Sequence, residues 1–460
     1  MRVPILAATA AALLLPALVA AQPAGESEQP LLRAVAADVD AARQRAVIEH
    51  LVAFGTRHTL SDTTSPTRGI GAARTWVKGQ FQNLAKACGG CLEVVTPSQV
   101  FQGERVPKPT EVMDVLAIQR GTGDPGRVLV ISGHLDSRAS DPMNATGDAP
   151  GANDDASGVA AVMEAARVLS RHRFAATIVY AVLSGEEQNL YGGKVLADYA
   201  QAQGWRVEAD LNNDIVGNTH GLDGHTDDTH VRVFSEGTKA VETPAQADRR
   251  RYNGGEVDSP SRNLARFLDG LADKYLTGLD VVMVYRTDRF SRGGDQVRML
   301  QAGFPAVRIT EADENYTRQH QDVRTENGVA YGDVVAGVDF PYLAQVTRLN
   351  VLALAALAAA PAPPEGVKIE GAVTPDTTVS WTQVSGAAGY RVWWRSTTEP
   401  QWRFSRDAGA GASLTLPGIN IDNWFFGVQA VSPDGFASPV VFPGPAGDFV
   451  SPPPAAAATH

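Results

Sequence analysis

Three stretches put acids or an imidazole directly after an apolar run: Gly133-His134-Leu135-Asp136-Ser137, Ser184-Gly185-Glu186-Glu187, and Leu211-Asn212-Asn213-Asp214. A fourth, GANDDASG, carries Asn153, Asp154 and Asp155 just ahead of a helical pattern. Any one of these residues, taken alone, reads equally well as an ordinary surface residue. Together they do not, because acids resist burial unless they are paired or metal-bound, so several at neighbouring strand ends require a cation. A sulfur-free set of imidazoles and carboxylates suits zinc, with manganese or cobalt as substitutes. Water between two such cations loses its proton near neutral pH, and the same ions polarise a carbonyl. A carboxylate off the metals must then accept that proton and return it to a leaving group. In a Glu-Glu pair on an extended turn the side chains point apart, so one can ligate while the other faces the water. Two close cations accept an α-amine only when it is neutral, which favours a substrate terminus as the anchoring group.

The elements that position these residues are legible as alternating patterns. Residues 30–54 and 65–87 carry apolar residues at helical spacing and predict two N-terminal helices. From 113 onward, strands at 128–132, 177–183, 281–285 and 306–310 alternate with helices at 157–170, 191–202, 260–276 and 294–302. The LNNDIVG segment is one more strand end in this series. Short, continuously apolar strands alternating with helices predict an α/β fold with a mixed, mainly parallel sheet flanked by helices. In such sheets ligands bind beyond the carboxyl ends of the strands, where the acids gather. A last helix over 333–359 reads as packed on the sheet rather than as a membrane span.

A Pro-rich stretch at 361–366 then ends the helical texture and reads as a linker. Beyond it, alternating strands separated by Gly, Pro, Asp and Asn predict a small all-β sandwich over 367–445. With Trp381 on an early strand, Tyr390 on the next and AVSPDG after a late aromatic strand, this part resembles fibronectin type III modules. Its partner would be a polysaccharide or a protein. Trp393, Trp394 and Trp402 are the aromatics that would stack on sugars, though alternating Trp in a sandwich also serves as core. Residues 446–460 are expected to form a disordered tail.

GHLDS, GANDDASG, SGEEQNLYG, LNNDIVG and a late His in YTRQHQD, in this order and spacing, resemble the zinc aminopeptidases of the M28 metallopeptidase family over residues 45–350. The resemblance implies a phosphorylase/hydrolase-like α/β fold over 22–360 and two zinc ions a few Å apart. By position it implies Asp154 as the shared ligand, His134 and Asp214 on one ion, and Glu187 and His320 on the other. Glu186 would be the general base, and the carboxylate of Asp136 would accept a hydrogen bond from the His134 ring and fix its tautomer. It also implies a cis Asp154–Asp155 bond. Two places depart from the pattern: Gly294-Asp295-Gln296 stands where many relatives have Ser-Asp-His, and Gln319 where they have Tyr. Tyr316 or Gln319 could then donate to the oxyanion, with a structural role as the equal reading for either.

Peptides are the substrates this resemblance implies, with the N-terminal residue removed. Carboxypeptidases and dipeptidases share the fold, and Arg286, Arg289 and Arg292 are cations that would suit a substrate carboxylate. A glutaminyl cyclase with one zinc would not need all five ligand positions filled, and a silent, metal-stabilised binding protein would have no use for Glu186. All the proposed ligands precede the linker, so the first domain is expected to work alone. An apolar run from Val3 to Ala21, ending in small residues, reads as a signal peptide over 1–21 and predicts export to the periplasm or outside, with an uncleaved anchor as the other reading. After its removal no membrane contact is expected. The formal charge of −11 argues against nucleic acid as a partner. Cys88 and Cys91 read as a local disulfide in an oxidising compartment, with a redox dithiol as the alternative.

Overall fold

The computed structural model describes residues 28–449; the expected signal peptide at 1–21 and residues 450–460 of the expected tail lie outside them. Three helices come first, α1 (Pro30–Ala37), α2 (Ala41–Val52) and α3 (Gly69–Ala87). The single helix expected over 30–54 is thus two. The break has a local cause, since the Asp40 side chain accepts the Ala42 N–H and caps α2. A Cys88–Cys91 disulfide follows the end of α3.

The chain continues through β1 (Glu93–Val95), β2 (Ser98–Gly103), β3 (Val106–Met113), β4 (Val115–Gln119), β5 (Asp124–His134), α4 (Ala156–Leu169), β6 (Ala176–Leu183), α5 (Tyr191–Ala202) and β7 (Arg206–Asn213). Next come β8 (His230–Phe234), α6 (Pro244–Asn253), α7 (Pro260–Tyr275), β9 (Asp280–Val284), α8 (Gln296–Gln301), β10 (Ala306–Glu311), β11 (Arg324–Glu326), β12 (Val329–Tyr331) and α9 (Phe340–Ala359). Eight strands form one sheet in the order β1-β4-β6-β5-β7-β10-β8-β9. The inner four, β6, β5, β7 and β10, are parallel neighbours. Leu129 and Ile131 of β5 face the core built with α2, α3, α4, α7 and α9, while Val128 and Val130 face α5 and α8. Burial on both faces is why these strands lack polar alternation, each large side chain contributing about 1.5–3 kcal/mol. Helices α4 and α5 cover opposite faces, so the connections leaving β5 and β6 part there and open a crevice beyond the strand ends.

Helix α9 is long and apolar enough to cross a membrane, but 83% of its apolar window is buried inside the fold. It starts at Phe340, later than the expected 333, because a 3₁₀ turn at Val335–Gly337 precedes it and Asp339 caps it. The β2–β3 hairpin was not foreseen. Its residues are mostly exposed and lack an apolar run, which removes the signal that marks the sheet strands.

The C-terminal part holds β13 (Glu365–Glu370), β14 (Thr377–Thr382), β15 (Gly389–Ser396), β16 (Phe404–Gly409), β17 (Ser413–Leu416) and β18 (Trp424–Val431). They form two three-stranded antiparallel sheets, β13-β14-β17 and β16-β15-β18, around Val379, Trp381, Tyr390, Val392, Trp394 and Phe426. Three sequence expectations change here. Trp394 and Trp402 are buried, Trp394 among core residues and Trp402 with its Nε1–H on Asn263, so neither is available to stack on a sugar. The segment expected as a linker is packed: Arg127 donates to the carbonyls of Ala360 and Pro361, and β13 already starts at Glu365. The tail begins later than 446, since Lys239 donates to the Asp448 carbonyl and Phe449 is buried in the sandwich core.

A polar seam joins this part to the first. Buried Asp258, just ahead of α7, accepts from Arg395 at 2.8 and 3.0 Å and from Arg266 at 2.9 Å. Arg266 also donates to the Pro400 carbonyl at 2.6 Å. Self-sufficiency of the first domain was expected from ligand positions alone, and this buried ion-pair network is a tie across the boundary that those positions do not include.

Candidate metal centre

Four strand ends deliver the site. His134 is the last residue of β5, Glu186 and Glu187 sit on the turn after β6, Asp214 follows β7, and His320 lies on the loop beyond β10. Asp154 precedes α4, and its bond to Asp155 is cis. Ile215 and His320 have left-handed backbones, at φ 63° and 55°, a conformation uncommon outside glycine that the surrounding contacts must hold.

All five expected ligand residues meet, in two groups that share Asp154. His134, Asp154 and Asp214 offer atoms within 4.8 Å of one another, and so do Asp154, Glu187 and His320. The two carboxylate oxygens of Asp154 divide between the groups: Oδ1 is 3.1 Å from His134 Nε2, and Oδ2 is 2.9 Å from His320 Nε2. His320 Nε2 is also 3.0 Å from Glu187 Oε1, and His134 Nε2 is 3.8 Å from Asp214 Oδ1.

These residues fit divalent zinc. Neighbouring donors of a tetrahedral zinc site with bonds near 2.0 Å are about 3.3 Å apart, close to the spacings seen here. His134 Nε2 and Glu187 Oε1 are buried without a hydrogen-bond partner. The charge balance agrees. Burial alone would lower the His320 imidazole, yet Glu187 and Asp154 outweigh it and hold it up to about 10. Burial likewise opposes protonation of His134, and Asp136, Asp154 and Asp214 overcome it. Both rings are thus drawn toward carrying the positive charge the surrounding acids demand. Burial, reinforced by Asp214 and Glu187, pushes the Glu186 carboxyl well above its ordinary range.

Asp136 plays a different part from the one expected. The His134 ring Nδ1 is 3.0 Å from the Asp136 backbone carbonyl and 3.6 Å from its carboxylate. The carbonyl is therefore the acceptor that fixes the tautomer, leaving Nε2 to face the ligand group. The carboxylate accepts the backbone N–H groups of Glu186 and Glu187, each at 3.2 Å, and the Thr59 hydroxyl at 2.9 Å.

Sequence reading missed several supports. Asp155 accepts the backbone N–H groups of His134, Gly158 and Ile215, tying three ligand-bearing segments together. Asp333 accepts the N–H groups of Asn153 and Asp154. Arg308, buried in β10, donates to Asp214 Oδ2 and holds that carboxylate from behind. A guanidinium in the otherwise apolar run AVRIT was the available signal for Arg308, because a buried cation needs a partner. Of the two oxyanion donors considered, Gln319 is engaged: its amide, turned to satisfy both ends, accepts from Arg292 at 2.8 Å and donates to Glu314 at 3.2 Å. Tyr316 is half-exposed on the cleft wall.

The groups open into a cleft of about 1010 Å³ whose lining includes Arg105, Arg138, Glu186, Arg289 and Arg292. Arg286 is exposed and not part of that lining.

The sequence model of peptidase family M28 matches residues 114–332. A probable zinc metalloprotease of Leptosphaeria maculans is 44% identical over 428 residues, covering 92% of this chain and 98% of its own. A probable zinc metalloprotease of Pyricularia oryzae is 44% identical over 425 residues, covering 90% and 84%. Among solved structures, LapB of Legionella pneumophila superposes with a TM-score of 0.51 at 19% identity, over 72% of this chain and 76% of that one. The LapA aminopeptidase of the same organism gives 0.51 at 18%, over 73% and 76%. At such identities these two likenesses speak for the fold alone, a mixed α/β sheet flanked by helices. The agreement of the family match with relatives alike over nearly the whole length shows that the chain belongs to peptidase family M28.

Proposed function

We propose that the chain is an exported two-zinc exopeptidase, an aminopeptidase that removes the N-terminal residue of peptides with Glu186 as general base. The observation that carries the reading is the pair of donor groups sharing Asp154, with Glu186 adjacent to one of them and belonging to neither. Zinc bound there supplies Lewis acidity toward the scissile carbonyl and acidifies water. Glu186 takes the proton from the attacking water and hands it to the leaving amine. Asp136 holds the turn on which Glu186 and Glu187 diverge, and its carbonyl keeps the His134 ring in one tautomer. The names of the relatives support zinc as the metal. The apolar N-terminal run supports export, and the two three-stranded sheets support a fibronectin type III-like module.

A panel of aminoacyl chromogenic substrates, assayed with and without chelator, tests the reading. Chelator-sensitive release from substrates with a free α-amine, and none from N-blocked peptides, is the expected result. Turnover of N-blocked peptides with a free C-terminus would instead make it a carboxypeptidase.

A further inference from the structure

We infer that Arg105 and Arg138 form a carboxylate-binding subsite beside the Glu187–His320 donor group, so that the cleft selects peptides carrying a carboxylate near the scissile bond. The inference rests on the exopeptidase reading and names its substrate class.

Arg105 comes from the tip of the β2–β3 hairpin, and its Nη1 donates to the Glu187 backbone carbonyl at 2.9 Å. Among the described residues it pairs with no carboxylate. The hairpin is pinned against the site, for Phe101 stacks on Tyr191, the first residue of α5, with ring centres 4.2 Å apart. Arg138 follows β5 on the loop after Asp136, and its Nε is 3.8 Å from Glu187 Oε2. Its carboxylate partner is therefore a proposed metal ligand, whose charge a cation would take up. Both guanidiniums line the cleft.

The opposite wall is built differently. Arg289 and Arg292 are held by Glu314 at 3.2 and 3.0 Å, and Arg289 also by Asp288 at 3.1 Å, so their charge is answered from within the protein. On the hairpin side the carboxylates near the two arginines are Glu104 and the proposed ligand Glu187, so with the charge of Glu187 taken up by a cation that wall is left in positive surplus. A guanidinium is a planar fork that matches a carboxylate, and such charge-assisted bonds exceed neutral ones in strength. A carboxylate can come from the first residue, the second residue or the free C-terminus of a short peptide.

The test uses the zinc-loaded full chain and reads kcat/KM on tripeptides. Glu-Ala-Ala-amide, Ala-Glu-Ala-amide and Ala-Ala-Ala with a free C-terminus place the carboxylate at the three sources. Ala-Ala-Ala-amide, Leu-Ala-Ala-amide and Lys-Ala-Ala-amide carry none. At least one carboxylate peptide is expected to exceed its amidated neutral counterpart by about tenfold or more. That advantage should shrink as salt rises, because screening acts on a cleft open to solvent. Arg105→Gln and Arg138→Gln should each lower the acidic-to-neutral ratio, and Arg105→Lys should restore part of it. Being internal, the ratio cancels any loss of loaded enzyme. Equal hydrolysis of neutral and acidic peptides, or a ratio unmoved in both Gln variants, overturns the subsite and leaves the exopeptidase reading standing. If none of the peptides is hydrolysed, the exopeptidase reading falls and the subsite with it.

Discussion

The carboxylate of Asp136 accepts the backbone N–H of Glu187 at 3.2 Å, with the Glu186 N–H on its other oxygen at the same distance. One buried side chain thus sets the turn from which a proposed ligand and a proposed base diverge. Asp136→Asn turns one of those acceptors into an NH₂ group facing a donor, so the turn loses a hydrogen bond and gains a repulsion. Substitutions in the shell behind a metal site typically cost about 10–100-fold in activity or metal affinity. We expect a loss in that range in kcat, with bound zinc measured on the same sample. Activity within twofold of the parent would show that the turn holds without the carboxylate.

Glu186 and Glu187 are adjacent in sequence and opposite in proposed role. Glu186→Gln keeps the shape and removes the proton acceptor, so kcat should fall by about 10²–10⁴ with zinc content unchanged. Glu187→Gln removes a donor and should lower zinc content, with partial rescue by added zinc. Measuring kcat and bound metal side by side for the two variants decides the matter. Zinc lost from Glu186→Gln, or near-normal turnover in it, would require the roles to be exchanged.

Asp154 sends one oxygen to each donor group. Asp154→Asn should therefore deplete both sites, whereas His320→Ala should deplete one. Elemental analysis of metal per chain, after dialysis against a weak chelator, reads this out. Retention of one full equivalent in Asp154→Asn would mean that one group holds its ion without the shared ligand.

His134, Glu187 and Asp214 were legible because each stands at or just after the end of an apolar strand and is itself polar, whereas Asp154, ahead of α4, and His320, on a loop, were legible through the motifs that carry the family resemblance. The pattern GHLDS after VLVIS marks a strand end whatever the fold around it. Their supports were less so. Asp155 stands in a motif and caps α4 through the nearby Gly158 N–H, but its other two backbone partners, His134 and Ile215, are far from it in sequence and no local pattern announces them. The hairpin carrying Arg105 has few apolar residues and no helical period, so its place is seen only in the folded contacts with Tyr191, Asp198 and Glu187. The seam between the two parts was hidden for a related reason. Arg395 sits in the strand GYRVWWRS, where alternation marks it as half-buried sandwich surface, and its partner Asp258 is reached only after folding.

That seam makes a prediction about stability. Asp258 is buried between Arg266 and Arg395, and Asp258→Asn would leave two guanidiniums close together without their shared anion. Breaking a buried pair by removing one partner costs about 3–5 kcal/mol. Denaturant unfolding of Asp258→Asn should show a loss of that order. A chain ending at 360 should be less stable still, since it also exposes the α7 face that Trp402 and Gln401 cover. An undiminished unfolding midpoint in the truncated chain would mean that the seam is dispensable.

Glu236, buried after β8, offers a test in pH. Burial pushes its carboxyl up to about 8, against a smaller opposing pull from the Ala240 N–H and Lys239. The folded state therefore holds this proton more tightly than the unfolded chain, whose carboxyl titrates at an ordinary 4.5. Below that value both states are protonated and the group is neutral to stability. As pH rises from about 4.5 to about 8 the unfolded state ionises first, so stability falls; above about 8 the full penalty, a few kcal/mol, is in place. Glu236→Gln keeps an oxygen for the Ala240 N–H, now 3.0 Å away, and cannot ionise. The variant should match the parent in denaturant unfolding near pH 4.5 and exceed it near pH 9, the gap opening between those values. A difference that is independent of pH would show that the Glu236 carboxyl titrates alike in both states.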